Sequence, residues 1–260
     1  MPTSIRPFII SGGGGATPYE YGWPAGGTSE SGVLAQWIFD EASGDILDQV
    51  GSIDLTPTQM GATSFIAYNV AMGHQDVAYG GVSPGVHVLN RTANSWVFLS
   101  SDTTLAPGTG SMVIEWVSQY LPRNNAQSDA TIFYTCDNSV NQGLYFYYDN
   151  ISTTPRFNFY IRTADAVTFS SATALTTNPF DMKIHKHRVV LNRAGNAEYF
   201  IDGVSQASTS MAAIAGKTIN CSQVILMGAT TSAVNTLAGT LYEMRVSSGT
   251  ANNSGGPGGG

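Results

Sequence analysis

The sequence predicts an all-β protein: an antiparallel two-sheet β-sandwich with an extended N-terminal arm and a Gly-rich C-terminal tail. Three observations carry that expectation. Charged residues make up 11% of the chain, against about 25% in ordinary globular domains. Helices draw heavily on Glu, Lys and Arg, whose unbranched side chains lose little freedom there. Second, 29 Gly, 12 Tyr and 11 Phe among many Ser, Thr and Asn are the material of short strands broken by turns. Third, no window repeats its apolar residues at the helical spacing of about 3.6 residues. A length of 260 residues with 42% apolar content suits one large β domain with extensions.

Residues 1–32 read as an arm, with Gly12–Gly15, Pro18, Pro24 and no periodic apolar positions. Exposed aromatics are costly, so Tyr19, Tyr21 and Trp23 within it are expected to dock on a partner. Residues 33–247 hold a series of strand signals, first at 33–39, 96–99, 112–120, 131–135, 144–148, 156–161 and 167–170. Further signals lie at 187–192, 198–201, 223–227 and 240–246. Most are rich in Val, Ile, Tyr, Phe or Trp and are bounded by Gly, Pro, Asn or Asp. In the segment from Arg156 to Arg162, Arg156 and Asn158 point opposite to Phe157 and Phe159, the period of a half-buried strand. Asp202-Gly203 and the run from Arg193 to Asn196 read as tight hairpin turns. Residues 56–95, rich in Gly, read as inserted loops, and residues 248–260 as a flexible tail.

The formal charge is −7 with 11 Lys and Arg, so the chain is not expected to bind nucleic acid. No stretch approaches the ~18 apolar residues of a membrane-spanning helix, nor the ~7–15 of a signal-peptide core. The chain is therefore read as made in the cytoplasm, without a signal peptide or membrane insertion. Cys136 and Cys221 lie in strand-like stretches; buried thiols are the ordinary state there, with a disulfide the alternative. Asn90, Asn150 and Asn220 match the glycosylation pattern, which means little without secretion.

The order of motifs resembles the concanavalin A-like lectin and laminin G-like domains. The resemblance runs through Trp37-Ile-Phe-Asp-Glu-Ala-Ser-Gly44 with Asp48-Gln-Val-Gly51, then Gly110-Ser-Met-Val-Ile-Glu-Trp-Val117. It continues in His187-Arg-Val-Val-Leu-Asn-Arg193, Ala197-Glu-Tyr-Phe-Ile-Asp-Gly203 and the run from Leu237 to Val246. It implies a jelly roll of two curved sheets. Many domains of that kind hold a structural Ca2+, for which Asp40, Asp48 and Glu243 are the candidates here, but calcium wants about six to eight oxygens and the sequence supplies at most these three, so no metal is assigned. No other cofactor is expected. Hydrolases of this type carry paired carboxylates on one strand; Glu115 and Glu198 stand alone here, so no catalytic residue is assigned. His185 and His187 share a strand face as metal ligands would, but lack a third ligand nearby, and the resemblance makes His187 structural.

For ligand binding the candidates are Tyr145, Tyr147, Tyr148 and Tyr160, whose rings could stack on sugars or simply cover the sheet as cross-strand pairs. An aromatic-bearing Gly-rich arm, a folded sandwich, no signal peptide and low charge together resemble accessory proteins of tailed-phage particles. That resemblance implies a non-catalytic virion structural protein at the particle surface: capsid decoration, head fibre or tail module. Its partners would be other virion subunits or further copies of itself, with host glycans as ligands of the sandwich. A free carbohydrate-binding lectin module is the alternative.

Overall fold

The computed structural model describes residues 32–37, 45–57, 65–66, 75–76, 81–82, 86–88, 98–100, 103–120, 130–137, 142–149, 154–221, 223–226 and 239–249. Among them the first strands are β1 (Val33–Trp37), β2 (Thr56–Pro57), β3 (Phe65–Ile66), β4 (Gln75–Asp76), β5 (Gly81–Val82), β6 (Val86–Val88) and β7 (Phe98–Ser100). Longer ones follow: β8 (Met112–Tyr120), β9 (Ala130–Asp137), β10 (Gln142–Asp149), β11 (Arg156–Arg162) and β12 (Thr168–Ala174). The last are β13 (Ile184–Leu191), β14 (Asn196–Ile201), β15 (Val204–Ser210), β16 (Gln223–Leu226) and β17 (Gly239–Ser248), with a 3-10 turn at Ala212–Ile214.

The first sheet runs β15-β14-β13-β8-β17-β6-β3, with β1 also pairing β17; the second runs β12-β11-β10-β9-β16-β7-β2. A separate pair is β4-β5. The pairings are antiparallel, as expected where tight turns join successive strands. The two sheets face each other across one core. Alternation delivers Ala35, Trp37, Ile114, Trp116, Val189, Tyr199, Met244 and Val246 from the first sheet, each at most 1% exposed. Leu144, Phe146, Tyr148, Phe157, Phe159 and Ile161 come from the second. Burial of each such side chain is worth about 1.5–3 kcal/mol. Phe157 stacks on Tyr199 across the layers, with ring centroids 3.8 Å apart.

The polar atoms inside this core are tied to one another. The hydroxyls of Tyr148 and Tyr199 are 2.6 Å apart, and that of Tyr199 lies 2.8 Å from Nδ1 of His187. Trp116 Nε1 donates to the Tyr120 hydroxyl at 2.8 Å. Burial pushes the His187 pKa well below its ordinary value, and the neutral ring stacks on Trp116 at 4.8 Å.

Both expected hairpins are present. Asp202 and Gly203 have φ of 49° and 77° and form a two-residue link between β14 and β15, the positive pair that matches strand twist. Residues 192–195 join β13 to β14, with Gly195 N–H donating to Asn192 O. Two sequence expectations are amended. Strand β15 was not anticipated, because Val-Ser-Gln-Ala-Ser-Thr-Ser carries no alternating large apolar residues. Within residues 56–95, where the sequence reads as inserted loops, β3 and β6 extend the first sheet and β2 extends the second.

Candidate ligand-binding face

Strands β10 and β11 send Leu144, Phe146, Tyr148, Phe157, Phe159 and Ile161 inward, so the residues between them face away from the core. The register sets these outward positions opposite one another in four rungs. Gly143 faces Arg162, Tyr145 faces Tyr160, Tyr147 faces Asn158 and Asp149 faces Arg156. Within the ladder, Tyr145 and Tyr147 stack with centroids 4.6 Å apart and planes 26° from parallel. Tyr160 is 37% exposed, high for so large an aromatic ring. On the far side of β11 lie exposed Thr168, Ser170, Ala172 and Ala174, opposite Arg162, Tyr160, Asn158 and Arg156 respectively. The surface therefore steps down from the tyrosines to a shelf of small side chains.

The ends of the ladder differ in charge. Arg156 grips Asp149 through Nε and Nη2, at 2.8 and 2.7 Å from separate carboxylate oxygens. Among the described residues Arg162 has no such mate, and its Nε lacks an acceptor. Asn158, 4% exposed beside Tyr147, also leaves its Nδ2 without an acceptor.

Three of the four tyrosines proposed from sequence thus share a face. Tyr148 does not: it follows Tyr147 directly, so alternation turns it into the core, where it is fully buried. Sequence reasoning did not single out Asn158 and Arg162 as site residues, although the outward parity of Asn158 was readable in the β11 segment.

The remaining candidates lie elsewhere. Tyr19, Tyr21, Trp23 and Asp40 fall outside the described residues. Asp48 closes the loop after β1: its Oδ1 accepts the N–H groups of Gln36 and Val50, each at 3.0 Å, and Oδ2 accepts that of Ile53 at 3.2 Å. A Cβ on Gly51 would lie 2.8 Å from Asp48 Oδ2, which explains the glycine at that turn. Glu243 accepts a 2.7 Å hydrogen bond from Gln36 Nε2 on the face of the first sheet turned away from the core. The same buried face carries Arg245, whose Nε and Nη2 donate to Glu115 Oε2 at 3.2 and 2.9 Å. Burial raises Glu243 to a pKa of about 7, with the nearby Glu115 charge adding to the shift and Gln36 and Arg245 opposing it.

His185 lies between two carboxylates, Nδ1 to Asp202 at 2.6 Å and Nε2 to Asp181 at 2.9 Å. Burial disfavours its charge, but those hydrogen bonds and charges outweigh it and raise the pKa. Among the described residues no group of three or more His, Cys, Asp or Glu is placed to hold a metal ion. Cys221 is a buried thiol, and the side chain of Cys136 lies outside the described residues. Of the glycosylation-pattern sites only Asn220 is described; it is exposed, and its Nδ2 donates to Gln142 Oε1 at 3.2 Å.

No family model matches the sequence, and no curated protein matches it. Solved structures do. The fold is similar to the binding domain of botulinum neurotoxin serotype G, at TM-score 0.60 and 13% identity, over 85% of this chain and 48% of that one. It is similar also to the binding domain of Paraclostridial Mosquitocidal Protein 1, at TM-score 0.61 and 12% identity, over 86% of this chain and 50% of that one. A botulinum neurotoxin type C structure, described as entering cells through two ganglioside molecules, gives TM-score 0.58 and 9% identity over 85% and 49%. The likeness is one of fold. The chain spans about half the length of these toxin chains.

Proposed function

We propose that this chain is a non-catalytic carbohydrate-binding module whose ligand lies on the outer ladder of β10 and β11. The observation that carries the reading is the tyrosine group itself: Tyr145 stacked on Tyr147, with part-exposed Tyr160 across from Tyr145 beside a shelf of small residues. Flat apolar rings with polar edges suit the C–H faces of sugars, and their rigidity keeps the entropy cost of binding low. The fold supports the reading, since its structural neighbours are binding domains, one of them in complex with N-acetylneuraminic acid. Glu115, the carboxylate nearest a hydrolase pattern, is fully buried against Arg245, which suits it to holding the sheet together.

In a glycan array followed by calorimetry, Tyr147→Ala and Tyr160→Ala are each expected to weaken the best ligand about tenfold or more. Tyr160 is a surface residue, so its replacement leaves the melting temperature nearly unchanged. Absence of any bound glycan at millimolar concentration, or undiminished, wild-type affinity in both variants, rejects the reading.

A second observation favours display of this face on a larger assembly. Ser248 N–H donates to Gly32 O at 2.7 Å, and Gly249 N–H to Ser111 O at 2.8 Å, so the segments before residue 32 and after residue 249 leave from one corner. That corner belongs to the first sheet, the layer that does not carry the tyrosines. Attachment through the arm would therefore leave the ligand face clear, the layout of a virion decoration or fibre module. Replacing Tyr19, Tyr21 and Trp23 together by Ala is expected to abolish co-sedimentation with the particle while glycan binding persists. Undiminished incorporation rejects the arm as anchor.

A further inference from the structure

Among the described residues, the ladder offers donors without acceptors, and one cation without a counter-charge. Of the two arginines that β11 sends outward, Arg156 is neutralised by the two-point grip on Asp149. Arg162, at the opposite end, faces Gly143, which contributes no side chain to the outer surface. No described carboxylate pairs with it, and its Nε is out of contact with water yet has no acceptor. A guanidinium left in this state is a vacant site for a planar two-oxygen anion, because its N–H fork matches a carboxylate. Four residues earlier on the same face, Asn158 is 4% exposed and holds a second N–H donor without an acceptor. Between the two stands Tyr160, and beyond it the low shelf of Ser170 and Ala172.

The spacing fits a sugar. Alternate residues on a strand face are about 6.6 Å apart, close to the width of a pyranose with its substituents. A ring lying against Tyr160 would direct one edge to Arg162 and the other toward the Asn158 rung. We propose that the face selects carboxylate-bearing sugars, of the uronic or sialic acid class, with Arg162 as the residue that reads the acid group. This inference rests on the carbohydrate-binding reading and adds the chemical class of the ligand. The chain as a whole carries a formal charge of −7, so a bulk attraction for acidic glycans is absent and selectivity must come from a local cation. Arg162 is the outward cation of the ladder that has no carboxylate partner among the described residues.

The test is calorimetry on the full chain with two matched pairs: sialyllactose against lactose, and trigalacturonate against its methyl ester. The acidic member of at least one pair is expected to bind about tenfold more tightly. Raising the salt concentration should narrow the difference, since a single ion pair at the protein surface carries it. Arg162→Gln is expected to abolish the preference for the acidic member, whereas Arg162→Lys restores part of it. That partial rescue separates acid recognition from a loss of folding. Equal affinity within both pairs, or a preference that survives Arg162→Gln, overturns the inference while the carbohydrate reading stands. If no sugar of either kind binds, the carbohydrate reading falls and this inference with it.

Discussion

Arg245→Met is expected to destabilise the fold by about 3–5 kcal/mol, the cost of stranding a buried carboxylate. Arg245 and Glu115 are both fully buried, and Glu115 Oε2 accepts hydrogen bonds from both Nε and Nη2 of the arginine. The other nearby cation, Arg188, has its Nε 3.6 Å from Oε1, too far for a hydrogen bond. Removing Arg245 would therefore leave Glu115 charged, dry and poorly compensated. The double variant Glu115→Leu with Arg245→Met should recover most of the loss, because an apolar pair of similar volume is often as stable as a buried ion pair. Urea unfolding of wild type, both single variants and the double variant measures the coupling directly. A single-variant loss below about 1 kcal/mol would place the pair among weak surface bridges instead.

The second large effect is one of pH. Glu243 has its pKa raised to about 7 from an ordinary 4.5, first by burial and then by the Glu115 charge; Gln36, Arg245 and Lys186 pull the other way. The folded state thus favours the neutral acid, while the unfolded chain releases its proton at the ordinary value. The stabilising contribution is fully present below pH 4.5 and is lost by about pH 7. Its size is on the order of 3 kcal/mol. His185, also with a raised pKa, adds a loss of the same sign as pH rises through its folded value. Glu243→Gln keeps the amide partner and removes the proton, so the difference between denaturation curves at pH 5 and pH 8, chosen to bracket the transition, should shrink in that variant to the part carried by His185. A wild-type difference that persists undiminished in Glu243→Gln would assign the effect to His185.

Much of the second sheet was legible in sequence, because β11 sets Phe157, Phe159 and Ile161 between Arg156, Asn158 and Arg162, and β10 carries a run of large apolar and aromatic residues bounded by Gly143 and Asp149. The same alternation could have separated Tyr148 from Tyr145 and Tyr147; composition alone grouped them, and parity divides them. The hairpin at Asp202-Gly203 was readable for a chemical reason, since few residue pairs tolerate two positive φ angles. Strand β15 was not readable, because its small polar residues mark neither a turn nor an apolar face. The polar network of the first sheet was hidden for another reason. Gln36 and Glu243 meet across 207 residues of sequence, and Glu115 and Arg245 across 130. Pairings over such distances depend on which strands become neighbours, and no local pattern carries that information.

The hydrogen bond between Ser248 N–H and Gly32 O also makes this sandwich an insertable unit. A domain whose two ends meet can be spliced into a surface loop of another protein without prying that loop open. The host then incurs only the loop-closure entropy of its own connection, which grows slowly with linker length. By the same geometry, joining the ends and cutting at the Asn192–Gly195 turn should give a circular permutant that keeps both sheets intact.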